Sequence, residues 1–308
     1  QANGGVLTLE SLKNYKAEDY HIVTGSYRGY GLRGLWMPAY GAITIEALQV
    51  LETISDDYSD NQKWGEAVYH AIEAAYLDRK KQHTLEDADR LTSIEWAQKR
   101  ASEIHNDTAV KLNWKKLPES WTVPMGHTTH LTVVDRNGMV VALTQTVGQT
   151  MGSKVATPGL GFVYAQTLGG YLGEVKAGYR APSHISPMLV TKDDKPFIAL
   201  GAAGGSRIPS SIVAVISRII DQGNTLEKAI ALPRVQPIEN GVAIEFTSNG
   251  GWSGADSAYF AQLGHEVSVQ RRPGSFGRVH AVIKNEANGS WTGVADPDWE
   301  GSAASPNK

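Results

Sequence analysis

The sequence contains no cysteine. Thiolate nucleophiles, disulfides and cysteine-ligated metals are therefore excluded, which leaves hydroxyl, carboxylate, imidazole and amine chemistry. Long hydrophobic runs are missing too: no unbroken apolar stretch exceeds about five residues, as at Ile212–Ile216, against the roughly 18 that a membrane-spanning helix needs. No membrane span is expected, and no charged segment followed by an apolar one opens the chain as a secretion signal would. An excess of one charge is also lacking. The 29 lysines and arginines stand against 32 aspartates and glutamates, for a net charge of -3 and no basic block, so the electrostatic footprint of a nucleic-acid binder is absent. What is present, 308 residues of which 41% are hydrophobic, suffices for one broad domain or two ordinary ones. The chain opens on Gln1 and runs directly into Gly4-Gly5, which reads as a fragment or a processed product.

Apolar residues recur at three-and-four spacing through Ala47, Leu48, Leu51 and Ile54, then Trp64, Val68, Ala71, Ile72 and Ala75, then Leu91, Ile94, Ala97 and Ala101. This predicts three amphipathic helices between residues 41 and 104. From Thr128 the period changes to two, through His130–Asp135 and Met139–Thr146, with further strands expected at Phe197–Ala202, Ala243–Phe246 and Val279–Lys284. Helices are expected at Pro209–Ile220 and Thr225–Ala231, so the second part is mixed. Asn113–Gly126, with Pro118 and Pro124, follows neither period and reads as a linker.

Two patterns mislead. Gly29-Tyr30-Gly31-Leu32-Arg33-Gly34 spells a dinucleotide-binding fingerprint, but Trp36-Met37-Pro38 follows it in place of an amphipathic helix, so a pyrophosphate would meet no helix N-terminus. His127 and His130, three apart in a strand, fall on opposite faces, and no carboxylate cluster completes a metal site.

Between the first two strands lies Arg136-Asn137-Gly138, which suits a three-residue hairpin closed by a left-handed glycine. If Asp135 pairs with Met139, then Thr128 faces Thr146, His130 faces Thr144 and Thr132 faces Ala142, and one face is rich in hydroxyls. A two-residue turn would instead set Thr128 against Val147 and Thr132 against Leu143, mixing polar with apolar. The first register is preferred. Threonine is also a good strand former, and Thr129, Thr132 and Thr144 need no other reading. Thr128 differs, because a threonine hydroxyl becomes a useful nucleophile when its own α-amine, freed by a cut before it, takes the proton. The change from helix to strand across a linker places such a cut at His127-Thr128. Further on, Gly204-Gly205 stands between an expected strand and an expected helix, where exposed backbone N–H groups could hold an oxyanion. Hydroxyl pair and glycine pair together point to acyl transfer.

These residues resemble the γ-glutamyltransferase family of N-terminal-nucleophile hydrolases along essentially the whole chain. Asn3-Gly4-Gly5-Val6-Leu7-Thr8-Leu9-Glu10 through Tyr27-Arg28-Gly29-Tyr30 resembles the later part of that family's large subunit, and Thr128-Thr129-His130-Leu131-Thr132-Val133-Val134-Asp135 resembles the start of its small subunit. Gly204-Gly205-Ser206-Arg207-Ile208, Ser183 before Ser186-Pro187, and Ala295-Asp296-Pro297 follow in order. The resemblance implies an α+β fold, an αββα four-layer sandwich. Residues 1–127 would then be the C-terminal, mostly helical part of the large subunit, and 128–308 the small subunit. It further implies self-cleavage at His127-Thr128, Thr128 as nucleophile and base, Thr146 as its orienting partner, Gly204 and Gly205 as oxyanion hole, Ser183 as a carboxylate contact, and neither metal nor organic cofactor.

Departures from the family pattern concern the substrate. Gly148 stands where the family has an asparagine, Gly170 where it has an aspartate for the substrate amine, and His184 where it has a second serine. The arginine that clamps the α-carboxylate would lie upstream. The expected function is therefore an autoprocessing amide hydrolase or acyltransferase with altered head-group specificity, with Ser183, His184 and Arg180 facing the head group. A true γ-glutamyl hydrolase with a rebuilt site and an uncleaved non-catalytic homologue are the alternatives. The expected partners are a small acyl amide or peptide-like substrate, an upstream large-subunit segment and the processed heterodimer. By resemblance the location is periplasmic or secreted.

Overall fold

A computed structural model describes residues 4–106, 128–167, 178, 180–239, 241–247, 250–271, 276–298 and 301–306. In chain order the principal elements are α1 (Leu9–Asn14), β1 (Ile22–Tyr27), β2 (Tyr30–Leu35), α2 (Gly41–Ile54), α3 (Asn61–Asp78), α4 (Leu85–Leu91) and α5 (Ile94–His105). There follow β3 (Thr128–Val134), β4 (Val140–Thr146), β5 (Met188–Lys192), β6 (Lys195–Ala203), α6 (Ile208–Ile220) and α7 (Leu226–Ala231). The last are β7 (Val235–Ile238), β8 (Gly241–Thr247), β9 (Gly250–Gly251), α8 (Gly254–Gln262), β10 (Glu266–Arg271), β11 (Arg278–Lys284) and β12 (Trp291–Ala295).

The three periodic stretches become α2, α3 and α5. Asp60 caps α3 by accepting from the N–H groups of Gln62 and Lys63 at 2.8 and 3.1 Å, and Ser93 caps α5 by accepting from Trp96 at 3.2 Å. Leu91 does not belong to the third helix as its spacing suggested. It ends α4, a separate helix opened by a capping box of Thr84 and Asp87. Helix α2 is buried on every side from Gly41 to Leu51, the pattern of a central core helix.

A six-stranded antiparallel sheet runs β1-β2-β5-β6-β11-β12. The misleading glycine run supplies its second strand, with Arg28 and Gly29 turning the chain at φ +50° and +81°. Strands β1 and β2 precede Thr128 and the other four follow it, so this sheet is common to both parts of the chain. Strand β6 shows how the layers stack. Its Ile198, Leu200 and Ala202 join the core that contains α2 and α6, while Gly201 points the other way, so close to the His130 ring that a Cβ there would sit 2.4 Å from it. The β3–β4 hairpin thus covers one face of the sheet and the helices the other. A second sheet, β10-β8-β7 with β9 on β8, packs through β7 on α3. The fold is α+β. Among the described residues the outward side chains of the hairpin, Leu131, Val133, Val141 and Leu143, stay exposed.

One ion pair ties the end of the sheet together. Arg234 and Asp296, 2% and 0% exposed, meet at 2.9 Å. The Asp296 carboxylate also accepts from Val279 N–H at 3.1 Å and Asp298 N–H at 3.1 Å, and the guanidinium donates to the Ile230 carbonyl at 2.6 Å and to that of Gly277. Removing one partner leaves the other charge buried and unpaired, which costs about 3–5 kcal/mol. Asp296→Ala should therefore lower unfolding stability by about that amount in a urea titration; a loss under about 1 kcal/mol would show that water or rearrangement satisfies Arg234.

Candidate active site

The Asn137-Gly138 turn sets the register from which the site is built. Asp135 N–H donates to the Met139 carbonyl at 3.0 Å, Gly138 has φ +86°, and the ladder pairs Thr128 with Thr146, His130 with Thr144 and Thr132 with Ala142. This is the three-residue hairpin, and it brings the Thr128 hydroxyl 3.2 Å from that of Thr146. Gly148 N–H donates to the same Thr146 oxygen at 3.0 Å, so Thr146 Oγ1 is fixed from two sides. Gly148 has φ +86°, and a Cβ on it would meet the Gln166 carbonyl oxygen at 2.5 Å. Both conformation and space therefore demand glycine here. The sequence presented Gly148 as a lost contact; in the fold its backbone N–H holds the Thr146 hydroxyl.

Beneath this pair, His130 Nδ1 lies 2.7 Å from Thr144 Oγ1. Burial, with nearby His280 as a lesser cause, pushes the His130 pKa down to about 3. The ring is therefore neutral, a packed partner of Thr144 and Gly201. Gly204 and Gly205 follow β6 directly, with φ of +151° and +58°, backbone that side-chain-bearing residues rarely adopt. A Cβ on Gly204 would lie 2.6 Å from Gly277 Cα, so two backbones touch at this point. Gly277 is held in turn by Arg234 on its carbonyl and by Ser211 Oγ, which accepts from its N–H at 3.1 Å. The turn leads into α6, whose 13 residues direct their first N–H groups back toward it. Sequence reasoning missed the support from Gly277 and Arg234. Asp296 lay in a recognised motif without a role, and its pairing with Arg234 is visible only in three dimensions.

Ser183 is partly buried. Its N–H donates to the Pro38 carbonyl at 2.8 Å, and its Oγ accepts from Ile185 N–H at 3.4 Å. The two other expected head-group residues are occupied differently. His184 is 3% exposed, with its ring centroid 4.7 Å from that of Tyr40, and burial drives its pKa well below the ordinary value. It is a core residue with almost no surface to offer a ligand. Arg180 donates to Glu18 Oε2 at 2.9 Å, to the Tyr15 hydroxyl at 2.6 Å and to the Lys16 carbonyl at 2.6 Å, which ties it to the segment after α1. Gly170 and His127 lie outside the described residues. Among the described residues no three His, Asp or Glu side chains converge as a metal ion would require.

The two buried neutral histidines link stability to pH. Their folded pKa values lie below the unfolded value near 6.5, so the unfolded chain binds more protons once pH falls below that value, and folding weakens. The expected outcome is flat stability above about pH 7 and a decline between about pH 6.5 and 4, of up to about 1.4 kcal/mol per pH unit for each histidine. Urea titrations of wild type and His130→Asn test this. The variant should lose about one proton's worth of slope, and identical slopes would exclude His130.

The gamma-glutamyltranspeptidase family model matches residues 1–305. The chain is 26% identical to a glutathione hydrolase proenzyme of Bacillus subtilis (strain 168), over 99% of this chain and 56% of the relative. It is 30% identical to an acylase ACY 1 proenzyme of Pseudomonas sp. (strain V22), over 96% of this chain and 53% of the relative. The structure of a cephalosporin acylase from Bacillus halodurans superposes with a TM-score of 0.76 at 22% identity, over 98% of this chain and 57% of that one, so the two share a fold. The chain spans about half the length of the curated relatives it matches. On this match over nearly the whole chain, the protein belongs to the gamma-glutamyltranspeptidase family.

Proposed function

We propose that this protein is an autoprocessing amide hydrolase or acyltransferase whose nucleophile is Thr128. The carrying observation is the Thr128–Thr146 hydroxyl contact at 3.2 Å, with Gly148 N–H on Thr146. In this reading the His127-Thr128 bond is hydrolysed first, which separates residues 1–127, the end of a large subunit, from 128–308, a small subunit that stays associated with it. The freed Thr128 amine then takes the proton of its own hydroxyl as Oγ1 attacks the amide carbonyl. Negative charge on the carbonyl oxygen rests on the N–H groups of Gly204 and Gly205. The amine passes its proton to the leaving nitrogen, and water or a second amine releases the acyl group from Thr128. Upstream large-subunit residues would complete the site, and a periplasmic or secreted location fits the resemblance.

Processing is directly testable. Wild type should resolve into two chains by mass spectrometry, and Thr128→Ala should remain one chain without turnover. Cleavage retained in that variant would remove Thr128 from the role.

The substrate is the finer question, since the relatives include both a glutathione hydrolase and an acylase. Gly148 and Gly170 have no side chain with which to accept from a substrate ammonium, and His184 is sealed in the core. A buried ammonium without acceptors carries a desolvation cost that a head group lacking the amine escapes. Glutaryl-p-nitroanilide is therefore expected to exceed γ-glutamyl-p-nitroanilide in kcat/KM by about tenfold or more, the effect of one unpaired polar group. A tenfold preference for the γ-glutamyl compound would instead identify a γ-glutamyl hydrolase with a rebuilt site, and would leave the Thr128 mechanism standing.

A further inference from the structure

The two glycines that would hold the oxyanion have no side chains with which to hold themselves. Two backbone bonds close the turn on itself, from Arg207 N–H to the Gly204 carbonyl at 3.2 Å and from Ile208 N–H to that of Gly205, but with φ of +151° and +58° the glycines add no steric restraint of their own, so where the turn as a unit points its N–H groups depends on how its two ends are fixed. The upstream end is fixed by the sheet, where Ala203 pairs with Arg278. The downstream end is fixed from outside. Tyr76, 1% exposed in the last turn of α3, donates its hydroxyl to the Ser206 carbonyl. Gln236 bonds the same phenol and accepts from Ser210 in the first turn of α6, so one buried network joins the turn to the helix after it. Burial raises the phenol pKa, which keeps the hydroxyl a donor throughout the physiological range.

We propose that Tyr76 is a positioning residue for the Gly204–Gly205 turn: by holding the Ser206 carbonyl it fixes where the two glycine N–H groups point. The proposal rests on the amide-transfer reading above. At 1% exposure Tyr76 has no surface on which to meet a substrate. It also precedes Thr128, so after processing the donor would belong to one chain and the turn it holds to the other.

The test uses Tyr76→Phe in the complete gene product, after processing. Phenylalanine keeps the ring and removes only the hydroxyl. Tyr58→Phe serves as the matched control, because Tyr58 is equally buried and donates to the Leu51 carbonyl, away from the turn. Tyr76→Phe is expected to lower kcat about 10- to 100-fold, less than the roughly 10²–10³-fold loss of an oxyanion donor itself. KM should stay within about twofold, and the affinity for a boronic acid bearing the same acyl group should fall in parallel with kcat. Tyr58→Phe should lower Tm comparably and leave kcat unchanged. Wild-type kcat and boronate affinity in Tyr76→Phe would overturn the proposal. So would equal kcat losses in both variants, which would mark a purely structural role. If Tyr76→Phe fails to fold, 4-aminophenylalanine at position 76 restores an N–H donor and must recover both folding and most of kcat; a folded protein still impaired would overturn the proposal. A wild type that neither cleaves nor turns over any amide removes the reading beneath it, and the proposal with it.

Discussion

The contact on which the rest depends is backbone against backbone, Gly204 on Gly277, held shut by the buried Arg234–Asp296 pair. Four segments distant in sequence meet there: the end of β6, the approach to β7, the approach to β11 and the end of β12. A side chain on Gly204 would push them apart, and without a cation on the Gly277 carbonyl that oxygen would lose its partner in the interior. A buried ion pair is weak evidence for stability in itself. Here its value is geometric, since the guanidinium fixes a carbonyl that in turn limits where the Gly204–Gly205 turn can lie.

Electrostatically the described residues around the hydroxyl pair are quiet. His130 and His184 are neutral through burial, and no acid–base side chain makes a hydrogen bond to Thr128 or Thr146 among the described contacts. The proposed base, the amine of Thr128 itself, would suit such surroundings, because it needs no second titratable group with a tuned pKa.

The hairpin was legible because its determinants are local: Asn137-Gly138 sets the turn, and the two-residue period fixes each side chain's face. The glycine turn was legible for the same reason. Strands β1 and β2 were not, because a glycine-rich run hides their period and resembles a phosphate loop; what decides them is pairing with β5, far along the chain. Helix α4 escaped because apolar spacing ran through Ser93, where one helix has ended and another is capped. His184 stands where the family has a second serine and Arg180 lies three residues before Ser183, and both were expected at the head group. Burial under Tyr40 and the pull of Glu18 separate them, and neither can be read from order alone. Gly148 carries the sharpest lesson: compared with an asparagine it is an absence, whereas its N–H and its positive φ are what the turn after β4 requires.

The six-stranded sheet takes two strands from before Thr128 and four from after it. A cut ahead of Thr128 would therefore leave one continuous core made by two polypeptides. Before the cut, unfolding and refolding are unimolecular. Afterwards they become an association equilibrium, so the apparent stability of the same contacts depends on protein concentration. At high dilution, separated and unfolded pieces would be slow to find each other again, while the assembled pair would persist for as long as unfolding is slow. The cut would thus act as a ratchet: the sheet must form while the chain is whole, and once the bond has opened the mature protein owes its persistence to kinetics more than to its capacity to refold.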